Sequence, residues 1–341
     1  MCATLASVAC KKTVQPADEE ILNPVGFRAM SQATWVDPAP ATKATTTPTF
    51  TSFGVWGIAR KTGMEPYMLW ESNDLIPVTK SGNTNTFVPS EPAYWFSGYT
   101  YNFLAIAPYE DIDVTITPAA GNTKDAISFS YDMSSKYSGT PATGNNPAIA
   151  PDYDFDLLAA AAQHTVQSSS TQGSHTLTFW HLLSQIKIRV LFKDKNGNDL
   201  SGTVTGLRLT NVDADADYSI CYGQVVNNQD KPAVECTSGE SSRKEITITG
   251  SPANDGYYCI NVVPQDISKV KLFLNFTVND AEYPDFEAIL NFNGYETVYK
   301  PNECYKWTLT ITNSLYINFE TSLSEWDDNE GEGYEAGKVE F

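Results

Sequence analysis

Regular alternation of apolar and polar residues constrains the fold of this chain more than any other feature. Val270, Leu272, Leu274, Phe276 and Val278 occupy every second position of one stretch. Successive side chains of a β-strand point to opposite faces, so this period of two predicts a strand with one buried face. The same spacing recurs in the stretches 112–116, 127–131, 186–192 and 305–311. The chain is therefore expected to consist mainly of strands.

Other stretches lack this alternation because both of their faces are apolar. Residues 53–59 are of this kind and predict a strand covered on both sides. Residues 157–162 fit either a short helix or a buried strand, since periodicity does not separate the two. With the polar segment 167–175 as a boundary, the 341 residues predict an all-β protein with two antiparallel β-sandwich domains in series, 21–166 and 167–341.

Two local signals predict how strands connect. Leu177 and Phe179 alternate in odd register, whereas Ile186 and Ile188 alternate in even register, so a bulge or half-turn is expected within 180–185. The segment 193–198, Lys-Asp-Lys-Asn-Gly-Asn, predicts the turn of a hairpin that joins the strands on either side.

The balance of charge excludes one class of partner. Asp and Glu total 41 against 22 Lys and Arg, which gives a formal net charge of −19. Such a surface repels a phosphate backbone, so no nucleic-acid partner is expected. The sequence also lacks the uninterrupted apolar run of about 18 residues that a membrane-spanning helix needs.

The chain lacks the residue patterns that mark a catalytic or metal site. His164, His175 and His181 are its three histidines, and none lies in a motif for nucleophilic, metal or phosphate chemistry. His181 has apolar neighbours, which predicts a hydrogen-bonded histidine in a core or between the domains. Two acidic triplets have the spacing of a calcium loop without its glycine and glutamate, and both read as solvated loops: Asp213, Asp215 and Asp217, and Asp152, Asp154 and Asp156. We therefore predict a protein that is not an enzyme and holds no cofactor or metal.

The first residues resemble the end of a lipoprotein signal. Ser7-Val-Ala-Cys10 is similar to a bacterial lipobox, with Ser7 where leucine is usual, and predicts lipidation at Cys10. The polar residues that follow complete a signal and tether over 1–20. Four further cysteines lack the spacing of a zinc site and either pair as disulfides or remain buried thiols: Cys221, Cys236, Cys259 and Cys304. The first two flank a turn-rich segment and form the easiest pair.

Each end of the chain carries a strand-like segment set apart by a polar stretch. Residues 21–27 read as a short irregular strand, and the Pro- and Thr-rich linker 37–48 follows. Residues 320–341 hold eight acidic residues and one lysine, so this arm is expected to be solvated and extended. Val339 and Phe341 would lie on one face of a strand at its end.

A series of short motifs follows the lipobox-like cysteine. In order, they are Thr42-Lys-Ala-Thr45, Phe53-Gly-Val-Trp56, Pro92-Ala-Tyr-Trp95, Leu104-Ala-Ile-Ala-Pro108, Asp156-Leu-Leu-Ala-Ala160, Leu177 to Ile186, and Leu323-Ser-Glu-Trp326. Their order and spacing resemble those of the fimbrillin-like proteins, the type V pilus subunits of Bacteroidales. The resemblance implies two transthyretin-like β-sandwich domains, export as an outer-membrane lipoprotein, and assembly into a fimbria at the cell surface.

The resemblance also implies how such a subunit assembles. In that family a trypsin-like protease removes the N-terminal strand, and an extended strand from a neighbouring subunit fills the groove. Lys43, with lysine where arginine is usual, and Arg28 are the two candidate cleavage sites. The apolar residues of the removable strand are Ile21, Leu22, Val25 and Phe27. Those of the donor arm are Ile317, Phe319, Leu323, Val339 and Phe341.

The implied partners are other fimbrial subunits, the processing protease and, through the lipid on the precursor, the outer membrane. A shaft, anchor or tip position within the fimbria stays open. The alternative is a surface glycan-binding lipoprotein, in which exposed aromatic side chains such as Trp70, Tyr94 and Trp95 would stack on sugar rings.

Overall fold

The computed structural model confirms the all-β class. It describes residues 21–31, 50–70, 74–82, 85–110, 112–120, 124–139, 150–153, 155–167, 173–226, 229–239, 243–249, 252, 256–312, 315 and 317–325. Strands make up most of this part of the chain, and none of its helices is long and apolar enough to cross a membrane. The finer arrangement as two transthyretin-like sandwiches stays a prediction.

The first group of elements runs to the middle of the chain. It consists of β1 (Ile21–Pro24), β2 (Phe27–Ser31), β3 (Ser52–Arg60), β4 (Tyr67–Met68), β5 (Ile76–Lys80), β6 (Phe87–Pro89), β7 (Tyr94–Phe96), β8 (Thr100–Ala107), β9 (Thr115–Thr117), β10 (Ala126–Asp132), α1 (Ser134–Ser138), β11 (Leu158–Thr165) and β12 (His175–His181). Strand β11 decides the ambiguity over residues 157–162 in favour of a buried strand.

The second group follows a break at Leu182 and Leu183, inside the segment where the register was predicted to flip. It consists of β13 (Ser184–Lys193), β14 (Gly202–Asp213), β15 (Asp215–Val226), β16 (Gln229–Ser238), β17 (Arg243–Thr249), β18 (Tyr258–Val262), a 3-10 turn (Ile267–Lys269), β19 (Lys271–Val278), β20 (Ala281–Ala288), β21 (Glu303–Thr312) and β22 (Ile317–Glu325).

Seven strands pair into a closed ring. The order runs from β3 through β5, β6, β2, β12 and β11 to β8, and β8 pairs back with β3. Closure satisfies the backbone N–H and C=O groups that an open sheet would leave unpaired at its edges. The N-terminal strand β2 is therefore one of the seven strands that complete this ring.

Side chains of the ring alternate between its interior and its outside, and both sets are buried in strands that a second sheet covers, such as β3. In β3, Phe53 and Val55 belong to the interior cluster, whereas Trp56 and Ile58 belong to a second cluster outside. This confirms the prediction of a doubly covered strand over 53–59. Aromatic rings dominate the interior: Phe27, Phe50, Phe53, Phe87, Trp95, Tyr101, Phe103 and Phe179.

A four-stranded sheet in the order β16-β15-β10-β9 packs on the outside of the ring. Strands β10 and β15 pair antiparallel, from Ala126 opposite Cys221 to Asp132 opposite Asp215. They come from either side of the segment 167–175, so strands from both sides of the expected boundary share one sheet. The domain limits stay a prediction.

The two remaining sheets have the orders β18-β13-β21-β22 and β17-β14-β19-β20. Between β13 and β14 the predicted tight turn is present, since the carboxylate of Asp194 accepts hydrogen bonds from the backbone N–H groups of Asn196 and Asn198. The predicted hairpin is wrong. β21 pairs with β13 as far as Lys193, and the chain crosses to the other sheet after a single bridge between Lys193 and Asp199.

A buried ion pair ties the ring to the sheet that covers it. Asp125, just before β10, accepts hydrogen bonds from both terminal nitrogens of Arg60 in β3, at 2.6 Å each, and from Asn102 in β8. Burial by itself would raise the pKa of this carboxyl. The hydrogen bonds from Arg60, from the Ala119 N–H and from Asn102 outweigh burial and hold the pKa below its ordinary value.

The substitution Asp125→Asn is expected to lower the free energy of unfolding by about 2 kcal/mol at pH 7, because it leaves the half-buried Arg60 without its anion. The folded-state pKa is depressed, so the contribution of Asp125 is present above pH ~4 and is lost as the pH falls through that pKa. Urea denaturation across pH 3–7 measures both effects. The exposed Asp113→Asn is the matched control, expected within about 0.5 kcal/mol of wild type. Equal losses in the two variants would contradict the assignment.

Candidate functional site

The space that β2 occupies between β6 and β12, here called the strand lane, is the candidate functional site. On one side β2 runs parallel to β12, from Phe27 opposite His175 to Ser31 opposite Phe179. On the other side it pairs antiparallel with β6 at a single position, Phe27 opposite Phe87. The backbone of β2 is therefore held along one side and only lightly on the other.

Phe27 anchors β2 in the lane. Its side chain is fully buried, and its ring lies edge-on to Phe103 at 5.1 Å and to Phe53 at 5.9 Å between centroids. Ala29, two positions on, is also fully buried, whereas Arg28 between them is exposed. A strand with one face toward an apolar interior requires this alternation.

Sequence reasoning missed two parts of the lane. Ala29 lies beyond the predicted end of the strand at residue 27, although its spacing from Phe27 continues the apolar alternation and could have revealed it. Asn85, just before β6, donates a hydrogen bond of 2.6 Å from its Nδ2 to the carbonyl oxygen of Ala29. No pattern in the sequence pointed to Asn85, because its partner is 56 residues away.

The segment predicted as one strand over 21–27 is two strands in different sheets. Ile21 begins β1, which pairs with β7 outside the ring. Pro24 ends β1, since it has no N–H to contribute to a ladder. The half-buried Leu22 packs on the interior cluster, and the buried Val25 donates its backbone N–H to the carbonyl oxygen of Ala93 at 2.8 Å.

The two candidate cleavage residues differ in their surroundings. Arg28 has an exposed side chain, but it lies within β2, where β12 binds the backbone and the neighbouring Phe27 and Ala29 are buried. A protease needs a locally released backbone, so a strand in the middle of a sheet is a poor substrate. Lys43 and the lipidation candidate Cys10 lie outside the described residues.

The first part of the predicted donor arm is strand β22, at the edge of its sheet. It pairs antiparallel with β21 along its whole length, and no second strand pairs with it in the part of the chain described. Phe319 is buried, Ile317 is half-buried, and Leu323 is exposed. Val339 and Phe341 lie outside the described residues.

The histidines take three defined positions. His181 is buried with its Nδ1 2.8 Å from the carboxylate of Asp156, which confirms a hydrogen-bonded core histidine. His164 and His175 lie in β11 and β12 with ring centroids 4.8 Å apart.

No disulfide links any two of the four cysteines in the described part of the chain. Cys221 lies opposite Ala233 and Cys236 lies opposite Tyr218, so the hairpin register separates the pair that looked easiest to bridge. Burial raises the pKa of the Cys236 thiol to about 12, which keeps it protonated and unreactive at neutral pH.

The expectation of exposed aromatic side chains for sugar stacking is wrong for both tryptophans. Trp95 is fully buried inside the ring, and Trp70 is 4% exposed with its Nε1 donating to the carbonyl oxygen of Glu91. Tyr94 keeps an exposed ring. The glycan-binding alternative therefore loses the two residues on which it depended most.

The acidic triplet at 213–217 is not a solvated loop. Asp213 ends β14, is buried and pairs with Arg243 at 3.2 Å, while Asp215 and Asp217 begin β15. Within the described ranges, no three acidic, cysteine or histidine side chains cluster as metal ligands would. Asp154 of the other triplet lies outside those ranges.

The chain belongs to the fimbrillin-like family. The family model matches residues 42–326, which is most of the chain and includes every strand from β3 to β22. A search of curated proteins finds no match.

Several solved structures are similar to this chain at low sequence identity. A fimbrial protein from Bacteroides vulgatus ATCC 8482 has a TM-score of 0.50 and 16% identity, with 89% of this chain and 100% of that chain covered. A candidate cell adhesion protein from Bacteroides uniformis ATCC 8492 has a TM-score of 0.48 and 18% identity, with 92% and 100% covered. At 16% identity, the likeness to the first protein shows a shared fold and nothing further.

The substitution Phe27→Ala is expected to lower the free energy of unfolding by about 3–4 kcal/mol, because it empties an aromatic pocket inside the ring. Chemical denaturation at pH 7 measures this loss. Arg28→Ala, at the adjacent exposed position, is the control and should change stability by less than about 0.5 kcal/mol. A loss below about 1 kcal/mol for Phe27→Ala would show that β2 is not anchored as described.

Proposed function

We propose that this protein is a structural, non-enzymatic subunit of a cell-surface fimbria that assembles by donor-strand exchange after proteolysis. The observation that carries the proposal is the strand lane, where a strand from the N-terminal segment completes a closed ring. Membership of the fimbrillin-like family supports the role of fimbrial subunit, and so does the fold shared with a fimbrial protein.

The physical reason for exchange lies in what β2 covers. Without β2, the ring would expose the backbone edges of β6 and β12 beside the apolar pocket that Phe27 fills. An added strand would pair with those edges and bury side chains at alternate positions. Burial of Val25, Phe27 and Ala29 contributes on the order of 5 kcal/mol to the binding of the N-terminal strand. A strand that fills the empty lane with similar side chains would gain a comparable free energy.

Proteolysis would convert the closed subunit into an open one. We assign the cleavage to Lys43, since Arg28 is held within β2, whereas Lys43 follows it in the Pro- and Thr-rich linker. Cleavage there leaves β2 bound only by noncovalent contacts. The precursor would reach the outer membrane through a lipid on Cys10, and the processing protease would be trypsin-like.

The C-terminal arm is the proposed donor to the next subunit. Val339 and Phe341 have the same apolar-x-aromatic spacing as Val25 and Phe27 in the lane. Ile317 and Phe319 share this spacing, but β22 already pairs with β21 over nine residue pairs, so the segment beyond it is the less costly donor.

Lys43→Ala is expected to abolish assembly, because the N-terminal strand then stays covalently attached. Wild-type protein treated with trypsin should have a mature N-terminus at Ala44 and form ladders of multimers on SDS gels run without boiling. Arg28→Ala is the control and should cut and assemble as wild type does. Mass spectrometry of the product identifies the cut. Assembly blocked by Arg28→Ala but not by Lys43→Ala would reverse the assignment.

Removal of residues 326–341 is expected to leave a folded subunit that is cleaved normally but forms no ladder, because the donor strand is missing. The truncated protein should retain its groove, so it should still accept an arm from full-length cleaved protein and cap growing chains. Gel analysis of the truncated protein alone and mixed with wild type tests both expectations. Ladders of normal length from the truncated protein alone would disprove the arm as donor.

A further inference from the structure

His164 and His175 form a pair of histidines at the end of the ring where β11 stops and β12 begins. Their ring centroids lie 4.8 Å apart at an interplanar angle of 41°. The antiparallel register of β11 and β12, in which Leu158 lies opposite His181, places the two histidines directly across from each other when it is continued. Both side chains occupy positions that face the interior of the ring.

The surroundings of the pair are aromatic. Trp95 lies 5.3 Å from the ring of His164, and Phe103 lies 5.9 Å from the ring of His175, and both aromatic side chains are fully buried. The Nε2 atom of His175 is buried, and no hydrogen-bond partner for it is present among the described residues. A proton added at this atom would therefore create a charge with no acceptor beside it.

His175 is also in direct contact with the N-terminal strand. Its backbone N–H donates to the carbonyl oxygen of Gly26 at 2.9 Å, and in the register of β2 and β12 it lies opposite Phe27. It is the first residue of β12 and thus the first point at which β12 binds the occupant of the strand lane. Loss of β2 therefore removes a direct neighbour of His175.

Few titratable side chains on the strands that pack against β12 face His175. His164 is the one in β11, and Tyr101 in β8 lies opposite His164 in register. In β2 the charged Arg28 is on the outer face, exposed. Burial, and secondarily the charge of His164, lower the pKa of His175 to about 4, and no acidic group contributes to this shift.

We propose that this histidine pair makes retention of the N-terminal strand depend on pH, so that mild acid favours release of β2 from the lane. The proposal rests on the proposed function, since it concerns the control of the same lane. With β2 in place, His175 stays neutral; with β2 gone, it is solvated and takes up a proton. Because the folded pKa is lowered, the stabilisation of the closed state is complete above pH ~6.5 and is lost progressively as the pH falls toward 4.

The difference between a pKa of about 4 with β2 bound and about 6.5 with His175 solvated corresponds to roughly 30-fold greater release at pH 5.0 than at pH 7.5.

The test uses protein cut at Lys43 at neutral pH, with the N-terminal fragment still bound. Gel filtration then measures the fraction of fragment released at each pH. His175→Phe, which keeps an aromatic ring but cannot bind a proton, should reduce the pH dependence to less than about threefold. Equal pH dependence in the wild type and this variant would overturn the proposal.

A second measurement covers the case in which His175→Phe does not fold. NMR titration of the wild-type imidazole should give a pKa below 5 with the fragment bound and near 6.5 after its release. The same pKa in both states would also overturn the proposal. The release assay is repeated on protein that lacks residues 326–341, so that polymer growth does not contribute. If full-length cleaved protein fails to polymerise at any pH, that result counts against the proposed function. It does not affect the pH-dependence proposal, which the release assay tests separately.

Discussion

The parallel pairing of β2 with β12 closes the seven-stranded ring, and the packing of its aromatic interior depends on that closure. Phe27 reaches from β2 into contact with Phe53 and Phe103, which lie on strands at the other side of the ring. A gap at β2 would open the interior to water and leave the edges of two strands unpaired. The same strand thus completes the hydrogen bonding and the core of this part of the protein.

The way β2 is held supports the proposal of strand exchange. It forms its ladder with β12, touches β6 at one residue pair, and precedes the Pro- and Thr-rich segment 37–48 in the sequence. Its affinity for the lane comes mainly from burial of alternate side chains, which any strand of similar pattern can supply. By contrast, β21 in the C-terminal half pairs with β13 on one side and with β22 on the other along almost its whole length.

Predictions from the sequence succeeded where a local pattern reports burial directly. The alternation of 270–278 identified β19, and the doubly apolar stretch 53–59 identified β3. Predictions failed where the outcome depends on partners far along the chain. The turn at 193–198 is present, yet the strands beside it join different sheets, and the buried Asp213 is paired with Arg243, 30 residues further along the chain. The spacing of residues in the sequence shows neither the strand partners of β13 and β14 nor the ion-pair partner of Asp213.

By itself, the sequence determined that this chain is a β protein and which faces of its strands are apolar. These properties follow from side-chain periodicity, which is local. Only the tertiary structure decided that the ring closes, that β2 lies between β6 and β12, and that Trp70 and Trp95 are buried. The reason is that backbone hydrogen bonds are the same for every residue, so the choice of strand neighbours is made by the packing of side chains brought together from distant parts of the chain.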